Sequence, residues 1–296
     1  MLYDIRLEIT YGYANPAQAS RSLLRMLPRS MPGQQLLSGS VDTDPAPSWR
    51  RDRPDFWGNP MTEVAHDMKH DRIRFLFSGR VNRTAPARSL DVSVPLRRLP
   101  AEVAGTFSIA PGAPHHFLGP SPRVPAEPEI AAFARDCVSG DVSTLDAIRA
   151  VAHRLYEEFD FDPTATEVTT KTITAFRNRR GVCQDISHVT IAALRALGIP
   201  AGYVSGFLRT TPPPGRPRLE GADAMHAWVM AWTGPETGWI QVDPTNDIDA
   251  GNDHVTVATG RDYSDVAPIR GALRSSGGHS TLHSVDMIPV GEAPGP

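Results

Sequence analysis

Halfway along the chain the spacing of apolar residues changes from two to about 3.6, and that change restricts the fold more than any single residue does. At the start Tyr3, Ile5, Leu7 and Ile9 alternate with Asp4, Arg6, Glu8 and Thr10, the pattern of a strand with one buried face. Further strands are expected at Ser22–Leu27, Gln35–Thr43, Met61–Asp67 and Arg72–Val81, with a turn at Trp57-Gly58-Asn59-Pro60. From Pro86 to Pro128 there are nine prolines in 43 residues, so an extended surface connection is expected there. Beyond it Leu145, Ile148, Val151, Leu155 and Phe159 recur at helical spacing behind Ser143, a residue suited to cap a helix.

The expected architecture is therefore α+β. An N-terminal antiparallel β-sandwich domain (1–105) is followed by a proline-rich connection with a short helix (106–140), then a mixed core (141–296). In that core, helices are predicted over Lys171–Arg179 and from beside Cys183 to Leu197, where Gly198 and Pro200 stop the second one. Strands are predicted at Gly202–Arg209, His226–Trp232, Gly238–Val242 and Leu282–Val290, with a proline-rich loop over Thr210–Ala224.

Composition excludes several function classes. With 296 residues, 40% hydrophobic, and a formal net charge of −3, nothing draws the chain to nucleic acid or to an anionic membrane. No apolar run approaches the roughly 20 residues that span a bilayer, and Met1–Thr10 lacks the basic and apolar segments of an export signal. The reading is a soluble cytoplasmic protein with no membrane or nucleic-acid partner. In that compartment its two cysteines, Cys137 and Cys183, stay thiols, and neither has metal-type spacing.

The chemistry concentrates on Cys183. A cysteine in the first turn of a helix meets unpaired N–H groups and the positive end of the dipole, which favour a thiolate and can bind an oxyanion. A base and a group to orient it are available downstream. With a four- or five-residue loop after Trp232, facing residues of the next hairpin have index sums of 469 or 470, so His226 and Asp243 stand opposite or one step apart. Cys137 reads as a structural residue. A metal site from Cys183, His188 and His226 is disfavoured, because Cys183 and His188 lie about 140° apart around a helix.

Several motifs in order carry a resemblance. They are Gly181-Val182-Cys183-Gln184-Asp185, Leu194-Arg195-Ala196-Leu197-Gly198-Ile199-Pro200-Ala201, Tyr203-Val204-Ser205-Gly206, His226-Ala227-Trp228-Val229, Gly238-Trp239, Asp243-Pro244-Thr245-Asn246 and Gly260-Arg261-Asp262-Tyr263-Ser264-Asp265-Val266-Ala267-Pro268. Together they resemble the bacterial branch of the transglutaminase-like superfamily, and the N-terminal β region resembles that branch's usual N-terminal domain. The resemblance implies a papain-like core in which a helix bearing the cysteine packs on an antiparallel sheet bearing the histidine and aspartate. By position Cys183 is the nucleophile, His226 the general base and then acid, and Asp243 the orienting carboxylate.

The implied activity is cleavage of a peptide or isopeptide-like amide in a protein or peptide substrate through a thioester. The alternatives are acyl transfer to an amine, as in a transglutaminase, and a non-catalytic peptide-binding module, against which the intact triad argues. No cofactor or metal is implied, since no EF-hand-type loop is present. Asp185, Trp228, Asp262 and Tyr263 are weaker candidates for substrate contact, each with a structural reading beside it: helix-end stabilisation for Asp185, core packing for Trp228, and a structural loop for Arg261–Asp265. Asn246 reads as a turn residue and the pair His115-His116 as exposed. Met230 and Met225 depart from the acidic and the small or polar residues of many relatives, a difference that bears on substrate preference.

Overall fold

The N-terminal alternation continues much further than expected. In the computed structural model, which describes residues 1–85, 90–210, 221 and 223–291, β1 runs from Leu2 to Leu24. It is followed by β2 (Gln34–Asp44), β3 (Trp49–Pro54), β4 (Pro60–His66) and β5 (His70–Arg83). All are antiparallel, in the order β2-β5-β1-β4-β3. The first half of β1 pairs with β5 and the second half with β4. Between them the register shifts after Gly12, and Ala19 adopts φ 49°, a left-handed value costly for alanine. One strand therefore turns a corner and serves both parts of a curled sheet. The predicted Ser22–Leu27 strand is the end of β1, and β3, whose residues are all exposed, had no alternation to reveal it.

The proline-rich connection is less extended than its composition suggests. It contains a short 3-10 turn at Leu96–Arg98, α1 (Leu99–Ala104), another such turn at Pro114–Phe117, and α2 (Pro128–Asp136). Prolines begin these elements, where a missing N–H costs nothing. Then come α3 (Thr144–Glu158), β6 (Asp160–Phe161), α4 (Thr172–Asn178), β7 (Arg180–Gly181) and α5 (Cys183–Ala196). Ser143 caps α3 by accepting from the Asp146 N–H at 3.0 Å. At the end of α5, Gly198 at φ 79° lets its own N–H and that of Ile199 bond back to Arg195 and Leu194, which closes the helix.

The second sheet holds β8 (Ala201–Leu208), β9 (Ala224–Trp232), β10 (Trp239–Asp243), β11 (Ile248–Asp249) and β12 (His254–Gly260), in the order β11-β10-β9-β8-β12. Helix α5 packs on β9 and β8. The loop expected over Thr210–Ala224 lies largely outside the described residues. After α6 (Tyr263–Val266) the chain forms β13 (Ile269–Arg274) and β14 (His279–Pro289). Both pair with β1 rather than with the second sheet. The end of the chain thus completes the N-terminal sheet, and the expected split into 1–105 and 141–296 does not separate two independent units. One hydrophobic cluster runs from Tyr3 and Phe77 through Ile148 and Val189 to Val285, and a smaller one gathers Phe117, Val204, Trp228, Met230 and Ala250. No helix among the described residues is long and apolar enough to cross a membrane.

Two buried side-chain amides join the sheets. Gln34 donates to the Thr256 carbonyl (2.7 Å) and accepts from the Thr256 N–H (2.8 Å). Asn59 makes the same pair with Thr259, both at 2.9 Å. Strand β12 is the edge of its sheet, so these amides satisfy backbone groups that a neighbouring strand would otherwise take. Gln34→Ala leaves a buried donor and acceptor of Thr256 without partners, at about 1–3 kcal/mol each. A lower urea midpoint with an unchanged slope is expected, and an unchanged midpoint would contradict the assigned role.

Candidate active site

Helix α5 starts at Cys183 because Asp185 caps it from the inside. The Asp185 carboxylate accepts from the Val182 N–H (3.0 Å) and the Thr166 hydroxyl (2.6 Å) while 2% exposed, and a side chain at Gly181 would collide with it. Asp185 therefore has the helix-end role and does not face a substrate.

The β9–β10 register differs from the expectation in an instructive way. Trp239 pairs with Trp232 and Val242 with Val229, so the index sum is 471, because six loop residues rather than four or five separate the strands. Asp243 therefore stands across from Trp228 instead of His226. Since the offset is two residues, His226 and Asp243 keep the same face and meet diagonally. The Nε2–H of His226 donates to Asp243 Oδ2 at 2.8 Å, which leaves Nδ1 as the ring nitrogen open to Cys183, a group that acts on this ring.

Asp243 has a fully buried side chain and gathers donors from four residues. Oδ2 accepts from His226, from Asn246 Nδ2 (2.6 Å) and from His254 Nε2 (3.0 Å), and Oδ1 from the Thr245 N–H (3.0 Å). Burial raises the Asp243 pKa, but the bonds from His226 and His254 and the charge of His226 outweigh it, so the carboxyl lies well below its ordinary range. For His226 burial likewise opposes the charge, and the bonds and negative charges of Asp243 and Cys183 prevail, raising it from 6.5 to about 10.

Two of these partners were not found in the sequence. Asn246 read as a turn residue, and it does turn the chain, yet its amide also holds the carboxylate. His254 belongs to no motif and sits on β12, a strand without clear alternation. Its Nδ1 accepts from the Gly251 N–H at 3.2 Å, so Nε2 carries the proton donated to Asp243. Ligand atoms of His226, Asp243 and His254 lie within 4.8 Å of one another, a donor set of metal-binding type. The ring orientation of His254 offers a proton rather than a lone pair, and the cluster fits a hydrogen-bond network instead of a metal.

Trp228 is fully buried. Its ring stacks on His226 (6.0 Å, 28°) and meets His254 edge-on (5.2 Å, 80°), and its indole N–H donates to Gln241 Oε1 at 2.9 Å. It supports the histidines from beneath and does not line a cleft. A Cβ on Gly206 would lie 2.4 Å from this indole, so the glycine makes room for it.

Asp262 is also fully buried. It caps α6 through the Ser264 N–H (2.8 Å) and accepts from the Arg123 N–H (2.8 Å), a structural role rather than substrate contact. Tyr263 is partly buried against Tyr203 (6.1 Å). Burial, and after it Cys183, push Tyr203 well above its ordinary value. His188 is a core residue: burial lowers it to about 3, and its Nε2 accepts from the Tyr263 N–H at 3.2 Å. Cys137 donates to the Phe133 carbonyl. His115 is exposed, while His116 packs against Phe56 and Trp57.

A family model described as transglutaminase-like superfamily matches residues 131–244, and one described as bacterial transglutaminase-like N-terminal region matches residues 3–82. An uncharacterized protein of Mycobacterium tuberculosis is 32% identical over 297 residues, 97% of this chain and 92% of that protein. A protein-glutamine gamma-glutamyltransferase of Pseudomonas aeruginosa is 39% identical over 74 residues, 25% of this chain and 11% of that protein. The solved structure of a candidate cysteine protease from Cytophaga hutchinsonii shares the fold with a TM-score of 0.72 at 20% identity, covering 99% of this chain and 93% of that one.

The charge on His226 has a testable dependence on its partners. A histidine raised on folding contributes stability that is complete below about pH 6.5 and is lost as pH rises through about 10. Cys183→Ala removes the contribution of the thiol, so in the variant His226 should titrate at lower pH than in the parent, read from its ring resonances by NMR. Identical titrations would show that the two side chains do not interact.

Proposed function

Because the chain belongs to the transglutaminase-like superfamily, we propose that it is a cysteine-dependent enzyme that opens an amide bond through a thioester held on Cys183. The observation that carries this reading is the position of His226, bonded through Nε2 to a buried carboxylate and close enough to Cys183 for the thiol to help raise its pKa. In the first step the Cys183 sulfur attacks the amide carbonyl carbon, with N–H groups of the first turn of α5 as oxyanion donors. The C–N bond breaks as His226 gives its proton to the departing amine or ammonia. Water then loses a proton to His226 and attacks the thioester carbonyl, the C–S bond breaks to release a carboxylic acid, and Cys183 and the reprotonated His226 return to their starting state. Asp243 holds the ring in one orientation through both steps, and Asn246 and His254 hold Asp243.

A second reading rests on the local similarity to the Pseudomonas aeruginosa glutamyltransferase. A primary amine replaces water in the second step, and the product is a new amide.

Acid quenching after brief incubation with a peptide library rich in carboxamides should reveal an acyl adduct on the peptide containing Cys183. The adduct should be missing from Cys183→Ala, and His226→Ala should lower turnover by about three or more orders of magnitude. Ammonia or new amino termini accumulating without incorporation of a fluorescent amine assigns hydrolysis, and incorporation assigns transfer. Turnover that survives in Cys183→Ala would disprove the thioester route.

A further inference from the structure

A second pair of histidines lies outside this site, in the corner of the N-terminal sheet. His66 ends β4 and His70 begins β5, and they are 2% and 8% exposed. Their rings are 5.7 Å apart between centroids, with planes inclined at 60°. His66 Nε2 is 3.0 Å from the Pro45 carbonyl, and His70 Nδ1 is 3.0 Å from the Met68 carbonyl. A carbonyl oxygen only accepts, so each of these nitrogens carries the ring proton. The other nitrogen of each ring, His66 Nδ1 and His70 Nε2, is left with its lone pair, and both are buried without a hydrogen-bond partner.

We infer that His66 and His70 form a binding site for a divalent transition-metal ion of the Zn2+ class. Imidazoles that bind such ions almost always give their remaining N–H to a carbonyl or carboxylate, which fixes the tautomer, and both rings here do so. The spacing also fits. With a metal–nitrogen distance of about 2.1 Å and about 1.2 Å from ring nitrogen to ring centre, each centroid stands about 3.3 Å from the ion. Rings 5.7 Å apart then subtend roughly 120° at it, within the range of a distorted tetrahedral or trigonal centre.

A third ligand, an oxygen, is at hand in Ser20, the β1 register partner of His66, whose buried hydroxyl also lacks a partner. Water can complete the set. Two imidazoles and a hydroxyl suit zinc, nickel or copper better than calcium or magnesium, which prefer all-oxygen sites. Burial pushes His66 below its ordinary value, and the charge of Asp67 also reaches this ring. The first keeps the lone pair free at neutral pH, and the second favours an incoming cation.

The location suggests what the ion would do. Ala17 pairs with His70 and Ser20 with His66, so the site spans the place where β1 changes partners and Ala19 has positive φ. An ion there ties the β4–β5 turn to the corner of β1.

Chelator-competition titration with ZnCl2 tests the proposal on the Cys183→Ala protein, which removes the catalytic thiol as a competing zinc ligand. One equivalent should bind at micromolar concentration or tighter, and His66→Gln and His70→Gln should each weaken it at least tenfold while circular dichroism stays unchanged. If either variant does not fold, addition of Zn2+ to the Cys183→Ala protein should still move the ring resonances of His66 and His70. Binding that survives in both histidine variants, absence of binding, or unmoved ring resonances would overturn the assignment.

Discussion

Everything around the candidate site follows from one buried carboxylate. The side chain of Asp243 has no exposure, and an ionised group so placed costs several kcal/mol unless donors replace its water. Four residues supply them, and each donation imposes a structural requirement. Thr245 and Asn246 must turn back directly after β10, His226 must stand two residues off the β9–β10 register yet on the same face, and β12 must curl round far enough to present His254. Hydrogen bonds to a charged acceptor contribute about 1.5–3 kcal/mol apiece, so the set is large enough to hold the sheet in this curvature. The Trp228 ring then fills the space beneath both histidines, and Gly206 is required because the indole lies where its Cβ would be.

The N-terminal sheet takes part in this arrangement through β12. That strand has β8 on one side only, and on its other side the amides of Gln34 and Asn59 pair with the backbone of Thr256 and Thr259. The strand that carries His254 is thus fixed from the N-terminal half, while β13 and β14 return to pair with β1. Support for the site therefore reaches it from the N-terminal half, through Gln34 and Asn59.

What was legible in the sequence divides along the range of the interactions. Local signals were sufficient for the cap at Ser143, the stop at Gly198 and the start of α5, because each depends on residues within one turn. Alternation marked Tyr3–Ile9, where one face is buried. It failed for β3, which is exposed throughout, and could not show β1 turning a corner, since Ala19 carries no glycine-like signal for its positive φ. Parity arithmetic put His226 and Asp243 on one face, but the register depended on a loop length that spacing does not specify. His254, Gln34 and Asn59 act through partners 11 to 222 residues away, and no periodicity reports such contacts. Trp228, Asp185 and Asp262 were candidates for substrate contact because their motifs surround Cys183, His226 and Asp243, and their side chains are buried in hydrogen bonds and packing around those residues.

The two histidine clusters differ in what the nearby backbone offers. At His254 the nearest group to Nδ1 is the Gly251 N–H, a donor, so the ring proton is driven to Nε2 and directed at a carboxylate. At His66 and His70 the nearest backbone groups are the carbonyls of Pro45 and Met68, which hold the proton away and leave a bare nitrogen on each ring. The side chain is the same in both places and both are buried, so its intrinsic basicity does not separate them. An N–H beside the ring completes an anion's hydrogen-bond shell, and a carbonyl beside the ring prepares a ligand for a cation. By that criterion the cluster that holds three metal-type residues is a proton-ordered network, and the pair without a carboxylate ligand is the one arranged for an ion.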